Sequence, residues 1–134
     1  MPNTERGYVY ILRDRLNNNE IKVGLSKDPI SRIKQLHNTS TALPMYLYYV
    51  WEVQDMRYAE KIAHDSLSDH RINNRREFFE ILTIPDCISL NISEYERYNY
   101  DASCMYLDAL INAIEDNFSM MQIAFRPCYE LLQD

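Results

Sequence analysis

The N-terminal part of the chain contains five side chains that can transfer protons, bind phosphate or bind a metal ion. They are Tyr10, Lys22, Arg32, His64 and Glu77. Hydrolysis of a phosphodiester requires a deprotonated water, neutralisation of charge on the phosphoryl oxygens and stabilisation of the leaving alkoxide, and positioned cations supply most of that. The set contains residue types suited to this chemistry, provided that folding brings them together.

The pattern around Tyr10 and Lys22 predicts a β-hairpin. Residues 7–13 are a β-branched and aromatic run, the three asparagines at 17–19 mark a turn, and residues 20–25 form the second strand. The chain has only two glycines, at positions 7 and 24, and both fall in this hairpin. Lys22 is expected to face Tyr10 across it.

Arg32 and His64 are predicted to lie on two helices. Asp28 can cap the first helix, a proline follows at the first helical position, and apolar residues then recur at helical spacing. Arg32 therefore belongs to the first turns of this helix. Asp55 can cap the second helix, on which Glu60 and His64 share a face at i, i+4.

The remaining elements predict an α/β (α+β) fold with a small, mainly antiparallel three-stranded sheet flanked by helices. Residues 45–53 are rich in aromatic residues and form the third strand. A basic connector at 71–76 leads to a buried segment at 78–82, with Glu77 at its edge. The apolar residues between 107 and 118 keep helical spacing. We divide the chain into a domain of residues 1–85 and an acidic helical extension of residues 86–134, packed on that domain.

The charge is unevenly distributed between these two parts. The chain carries 14 Lys+Arg and 20 Asp+Glu, a net charge of −6. Residues 1–80 hold 12 basic against 11 acidic residues, whereas residues 81–134 hold two basic residues against nine acidic ones. The acidity therefore does not disqualify the N-terminal part from binding nucleic acid. The sequence lacks an apolar run long enough to span a bilayer and a secretory signal, so a cytoplasmic protein without membrane contact is expected.

At this point the sequence resembles the GIY-YIG nuclease superfamily over residues 7–82. The first motif of that superfamily is matched by Tyr8-Val9-Tyr10, and the second, in degenerate form, by Lys22-Val23-Gly24. An arginine in the next helix and a glutamate beyond the third strand and second helix follow in the same order. The set is most similar to the phage-type and meiotically up-regulated branch, in which lysine commonly replaces the second tyrosine.

The resemblance implies roles for the matching residues. Tyr10 acts as the general base or assists it, Arg32 binds the scissile phosphate, and Glu77 holds Mg²⁺ or Mn²⁺, with Glu80 as the fallback ligand. A free phenol titrates near pH 10, so Tyr10 needs a nearby cation or a metal-bound water. Lys22 is a candidate for that cation, and it is equally a candidate for direct contact with phosphate.

Several of these residues also have a purely structural interpretation. His64 is placed in the catalytic set, although pairing with Glu60 on a helix face is the more common role of a lone histidine. The apolar stripe at 107–118 is read as core, or as the seam of a homodimer. A rim of basic residues is a candidate for tracking phosphates, with scattered surface charge as the alternative; its members are Lys27, Lys34, Arg71, Arg75 and Arg76.

These observations predict a metal-dependent endonuclease whose partner is nucleic acid, with DNA as the substrate. The first alternative is a catalytically silent module of the same fold that binds nucleic acid or a protein partner. The second is an acidic decoy that imitates the charge of DNA, which requires the acids of residues 86–134 to line one face. The sequence shows no such regularity. Convergence of Tyr10, Arg32 and Glu77 around one phosphate-sized space separates the leading hypothesis from the first alternative.

Overall fold

A computed structural model describes residues 5–14, 19–37, 45–72, 75–81 and 92–132. Strands, helices and short 3-10 turns alternate along them. In chain order the strands and α-helices are β1 (Gly7–Asp14), β2 (Glu20–Ser26), α1 (Pro29–His37), β3 (Met45–Val53), α2 (Met56–Ser66), β4 (Arg71–Ile72), β5 (Arg75–Glu80), α3 (Ile92–Met120) and β6 (Phe125–Pro127).

The strands form one antiparallel sheet in the order β4-β5-β2-β1-β3-β6. The fold is α+β, but the expectation of a three-stranded sheet is wrong. Even without the two-residue β4, the sheet has five strands. The predicted basic connector at 71–76 is also corrected, since β4 and the start of β5 lie within it.

Other expectations about local structure are confirmed. β1 and β2 pair as the predicted hairpin, and the aromatic run forms β3. The Asp28 carboxylate accepts a hydrogen bond from the Ser31 N–H at 3.1 Å, and Asp55 accepts one from the Tyr58 N–H at 3.2 Å. Both aspartates thus cap their helices, because each satisfies a backbone donor that the first helical turn leaves without an intrahelical acceptor.

One face of the sheet, which we call the helix face, packs against α2 and α3. Alternate residues of β1 and β2, among them Val9, Ile11 and Val23, join residues of both helices in one buried cluster. Trp51 of β3 is fully buried there; its ring contacts Phe118 edge-on, with the ring centroids 5.4 Å apart. The helices therefore lie on this face because it carries the larger apolar surface of the sheet.

Arg13 links β1 to α3 on the helix face. Its guanidinium is fully buried and donates hydrogen bonds to Ser103 Oγ at 2.5 Å and to Cys104 Sγ at 3.1 Å. It also lies over the rings of Tyr48 and Tyr100, 5.4 and 5.1 Å from their centroids. The charge is thus held by hydrogen bonds and by the negative faces of two aromatic rings.

The opposite face, which we call the tyrosine face, carries Tyr8, Tyr10, Leu12, Lys22 and Gly24. A second, smaller cluster lies on it, and it includes residues from β3 and from the end of the chain; its buried members are Tyr10, Leu12, Met45, Val50 and Cys128. The Cys128 N–H donates to the Val50 carbonyl at 2.9 Å, which fixes the end of the chain against β3. Among the described residues, the buried apolar cluster on this face is the smaller of the two.

The division at residue 85 stays a prediction. β6 pairs with β3 in the common sheet, and Leu107, Ile111, Ile114 and Phe118 of α3 belong to the helix-face cluster. Among the residues that the structure describes, none lies in a helix that is both long and apolar enough to cross a membrane.

Candidate functional site

Tyr10 lies over Gly24 on the tyrosine face. The two residues are directly paired between β1 and β2. A Cβ atom on residue 24 would stand 2.7 Å from the Tyr10 hydroxyl and 2.8 Å from Cζ, well inside van der Waals contact. Tyr10 is only 2% exposed. Glycine is therefore required at position 24 because the phenol ring occupies the space of a side chain.

Lys22 lies two residue pairs away from the position opposite Tyr10 at which it was expected. The register pairs Lys22 with Leu12, so Lys22 and Tyr10 are diagonal neighbours on one face and do not face each other directly. The side chain is 8% exposed, and its Nζ lies 5.8 Å from the centroid of the Phe78 ring. The hairpin thus places Lys22 and Tyr10 on one face, with the Lys22 ammonium over the Phe78 ring of β5.

Tyr8, two residues before Tyr10 on the same face, has a different environment. Its hydroxyl donates to Glu52 Oε2 at 3.4 Å. Burial, followed by the negative charge of Glu52, raises the pKa of the Tyr8 phenol above its usual value. The Glu52 carboxylate thus disfavours the phenolate form of Tyr8.

Arg32 and Lys34 lie exposed on α1, which begins three residues after β2 ends. The exposed Lys27 forms an ion pair with Glu5 at 3.1 Å. Arg71 is exposed at the start of β4 and lies over the Phe79 ring, 5.6 Å from its centroid. The side chains of Arg75 and Arg76 lie outside the described residues. Arg32 is thus accessible to a phosphate, and the role of the basic rim stays a prediction.

His64 lies on the other side of the sheet from Tyr10. Its Nε2 is 3.0 Å from the Val23 carbonyl oxygen, and its ring contacts Phe79 edge-on at 5.4 Å between centroids. Val23 and Phe79 both belong to the helix-face cluster. The structure therefore does not bring His64 together with Tyr10 and Lys22, and its catalytic role stays a prediction for which no neighbouring site residue provides support.

The backbone of Glu77 lies in β5, directly before Phe78, whereas its side chain lies outside the described residues. Phe78 pairs with Lys22, so β5 runs beside the strand that carries the ammonium. Glu80, the fallback ligand, is exposed at the end of β5 and pairs directly with Glu20 of β2. Two glutamates therefore occur opposite each other on the tyrosine face, two residues along β2 from Lys22.

Carboxylate oxygens are suitable ligands for Mg²⁺, which is usually held by one or two carboxylates together with water and substrate phosphates. Glu80 and Glu20 fit that pattern. A cluster of three or more His, Cys, Asp or Glu side chains placed to hold a metal is not found within residues 5–14, 19–37, 45–72, 75–81 and 92–132.

Sequence reasoning missed Glu20 and Glu52. Glu20 is two residues from Lys22 on β2, and the alternation of side chains along a strand places both on one face, so this signal was available. Glu52 pairs with Tyr8 on one side and with Arg126 on the other. That arrangement depends on β6, for which the sequence offers little pattern.

Comparison with models of known families identifies the T5orf172 domain over residues 7–96, about two thirds of the chain. This finding corrects the assignment to the GIY-YIG superfamily, because the T5orf172 domain is a distinct family within the GIY-YIG-like and HNH-associated group of nucleases. It is a nuclease-like domain family, which supports a function related to nucleic acid. Searches of curated proteins and of solved structures found no match.

Proposed function

The chain belongs to the T5orf172 domain family, and from this premise we propose that it is an endonuclease that hydrolyses phosphodiester bonds in DNA. The observation that carries the proposal is the arrangement on the tyrosine face. Tyr10 packs on Gly24 and Lys22 lies diagonal to it, so the two residues are near neighbours on the same face of the hairpin. Rigid strands hold reacting groups more accurately than loops do.

In the proposed reaction, the Tyr10 phenol first loses its proton to solvent, the resulting phenolate accepts the proton of the attacking water, and the leaving alkoxide takes a proton from solvent. A phenol near its usual pKa of about 10 is a weak base at neutral pH, and a cation beside it favours the phenolate. The Lys22 ammonium is the described cation on the adjacent strand. Arg32, exposed on α1, binds the phosphate through its guanidinium, which can contact two phosphoryl oxygens at once. Glu77 or Glu80 would hold a divalent cation, which would supply positive charge to the phosphate and the leaving oxygen.

A second candidate function is a silent module that binds nucleic acid or a protein partner. The observation that favours it is the burial of the two central groups, since Tyr10 is 2% and Lys22 8% exposed. Groups so deeply buried contact a substrate only after neighbouring segments move. Catalysis therefore requires an opening of the tyrosine face, whereas binding through Arg32 and the exposed basic residues does not.

The deciding experiment is a cleavage assay with purified protein on plasmid, single-stranded DNA and RNA. Each substrate is incubated with Mg²⁺, with Mn²⁺ and with chelator. We expect cleavage of DNA that needs the metal and stops on chelation. Intact substrates under all conditions, together with measurable binding to DNA, would support the silent module instead.

Variants then assign the roles. Arg32→Ala should abolish cleavage and weaken binding, because it removes a cation from the phosphate. Lys61→Ala, an exposed lysine on α2, is the control and should leave cleavage unchanged. Glu77→Gln should abolish cleavage without weakening binding, because it removes an anion from the metal. If activity survives in Glu77→Gln and disappears in Glu80→Gln, the metal ligand is Glu80; survival in both contradicts the proposed metal site.

A further inference from the structure

A row of polar side chains crosses the tyrosine face next to Tyr10. Tyr8 pairs with Glu52, and Glu52 pairs in turn with Arg126 of β6. Directly paired residues in antiparallel strands project from the same face. The row therefore runs across β1, β3 and β6. It begins at Tyr8, which lies two residues before Tyr10 on the same face of β1.

The row ends in a groove of about 380 Å³, which contains Glu52 and Arg126 together with Arg6 and Phe125. Two guanidinium groups share the Glu52 carboxylate there. Arg6 lies 3.5 Å from Glu52 Oε1, and the Arg126 Nε lies 3.9 Å from the same oxygen. The groove thus holds two cations around one anion.

Both arginines have exposed N–H groups that can donate to another anion. The side chains of Arg6 and Arg126 are 78% and 56% exposed. Their separations from Glu52 exceed the 2.7–2.9 Å typical of a strong charge-assisted hydrogen bond. Arg126 makes one short contact, a hydrogen bond from Nη2 to Glu130 at 2.9 Å. Since a guanidinium has five N–H donors in a planar fork, a phosphate can bind to both groups without complete loss of these ion pairs.

We propose that this groove binds a second phosphate of the nucleic-acid substrate, outside the bond that is cut. The inference rests on the proposed function for the position of the scissile bond, but the groove itself lies apart from Tyr10 and Lys22. An ideal sheet puts Arg126 roughly 12 Å from Tyr10, counting two residues along the strand and two strand spacings across. That distance is longer than the axial advance of one nucleotide in B-form DNA, about 3.4 Å, so the groove would contact a different phosphate from the one that is cut.

The groove also explains a feature of the charge distribution. Residues 81–134 carry nine acidic and two basic residues, and Arg126 is one of the two. β6 places it on the tyrosine face, beside the cations of the N-terminal part. Where β6 joins the sheet, the acidic segment therefore contributes Arg126 to the groove, together with the Glu130 carboxylate that pairs with it at 2.9 Å.

The first test measures binding of fluorescein-labelled single-stranded DNA by anisotropy in chelator, where no cleavage occurs, over a range of salt concentrations. Arg6→Gln and Arg126→Gln should each weaken binding. Each should also make the negative slope of log K against log salt shallower by about 0.7, the value for one phosphate contact on a single strand. Arg57→Gln is the matched control. Arg57 is 72% exposed and pairs with Glu5, but it lies on α2 and does not line the groove.

A second measurement locates the subsite along the strand. A ten-nucleotide competitor spans both positions, whereas a dinucleotide does not. Arg126→Gln should therefore raise the concentration of decamer needed to displace the labelled DNA and leave that of the dinucleotide unchanged. Glu52→Gln removes the competing carboxylate charge and should strengthen binding of the decamer. Circular-dichroism melting of each variant shows that the fold is retained.

The outcomes separate the two proposals. Loss of affinity and slope in the arginine variants supports the phosphate groove, even if the wild-type protein cleaves no substrate. Normal cleavage by wild-type protein with unchanged slopes in both arginine variants overturns the groove and leaves the endonuclease proposal intact. An equal effect in Arg57→Gln, or an equal effect on the dinucleotide, also overturns it, because the arginines then act only through overall charge.

Discussion

Substitution of Gly24 by alanine tests the packing on which the proposed site depends. The new Cβ would lie 2.7 Å from the Tyr10 hydroxyl and 2.8 Å from Cζ, so the ring must move by about 1 Å to regain ordinary contact. Overpacking of this kind costs typically about 1–3 kcal/mol. The φ angle of Gly24 is not positive, so alanine also lowers the entropy of the unfolded chain, which offsets about 0.4–1 kcal/mol.

The expected net effect is a fall of about 1–2 kcal/mol in the free energy of unfolding. An unfolding entropy of about 2.1 cal/mol/K per residue converts this, for 134 residues, into a fall in Tm of roughly 4–7 °C. If Tyr10 accepts the proton of the attacking water, its displacement should also lower the cleavage rate by on the order of 100-fold. Urea denaturation and single-turnover cleavage measure the two quantities.

Two further variants isolate the contact. Gly7→Ala brings a Cβ against the Met56 thioether, the end of a flexible side chain, so it should affect stability without affecting cleavage. In a double-mutant cycle, Gly24→Ala should be neutral or stabilising once Tyr10 is replaced by leucine. Equal effects of Gly24→Ala in the presence and absence of the Tyr10 ring would refute the reasoning, because the cost would then arise elsewhere.

Three other substitutions follow from the described contacts. Burial and the hydrogen bond to Asp108 raise the pKa of Tyr48, so its contribution to stability is complete below about pH 10 and is lost as the pH rises further. In urea denaturation between about pH 8 and 11.5, Tyr48→Phe should therefore lose less unfolding free energy with rising pH than the wild-type protein does. Arg13→Met should lower the free energy of unfolding by about 1–3 kcal/mol, because the buried hydrogen bond to Ser103 is lost; an unchanged urea midpoint would contradict this. Lys22→Met should lower the cleavage rate about 100-fold or more while stability holds or rises, since a buried ammonium is replaced by an apolar group; retained cleavage in a stable variant would remove Lys22 from the mechanism.

Local patterns predicted the elements that form from neighbouring residues. The sequences of β1 and β2 have alternating apolar residues with three asparagines between the two runs, and both aspartate caps precede apolar residues at helical spacing. Such signals act within about ten residues, so the sequence alone reveals them. The long-range arrangement is different. β6 is only three residues long and contains Pro127, which by the usual rules argues against a strand.

The site was predictable to the extent that it lies within the hairpin. The presence of Tyr10, Lys22 and Gly24 on one face follows from the alternation of side chains, but the register does not. The sequence suggested Lys22 opposite Tyr10, whereas Gly24 takes that place because the ring needs the room that only glycine leaves. The pairing of Glu80 with Glu20 depends on how β5 joins β2, which no local pattern specifies.

The pairing of β3 with β6 also affects the kinetics of folding and of local opening. Glu52 and Arg126 are partners although 74 positions separate them, whereas the hairpin partners Leu12 and Lys22 are ten positions apart. Hairpins form in about 1–10 μs, and pairing across a long stretch of chain must wait until the intervening segments are ordered. A three-residue edge strand is also among the first elements to open in the folded protein. Brief detachment of β6 would carry Arg126 away and leave the hairpin with Tyr10 and Lys22 intact. The residence time of bound DNA would then depend on the opening and closing of β6, separately from the proposed catalytic residues.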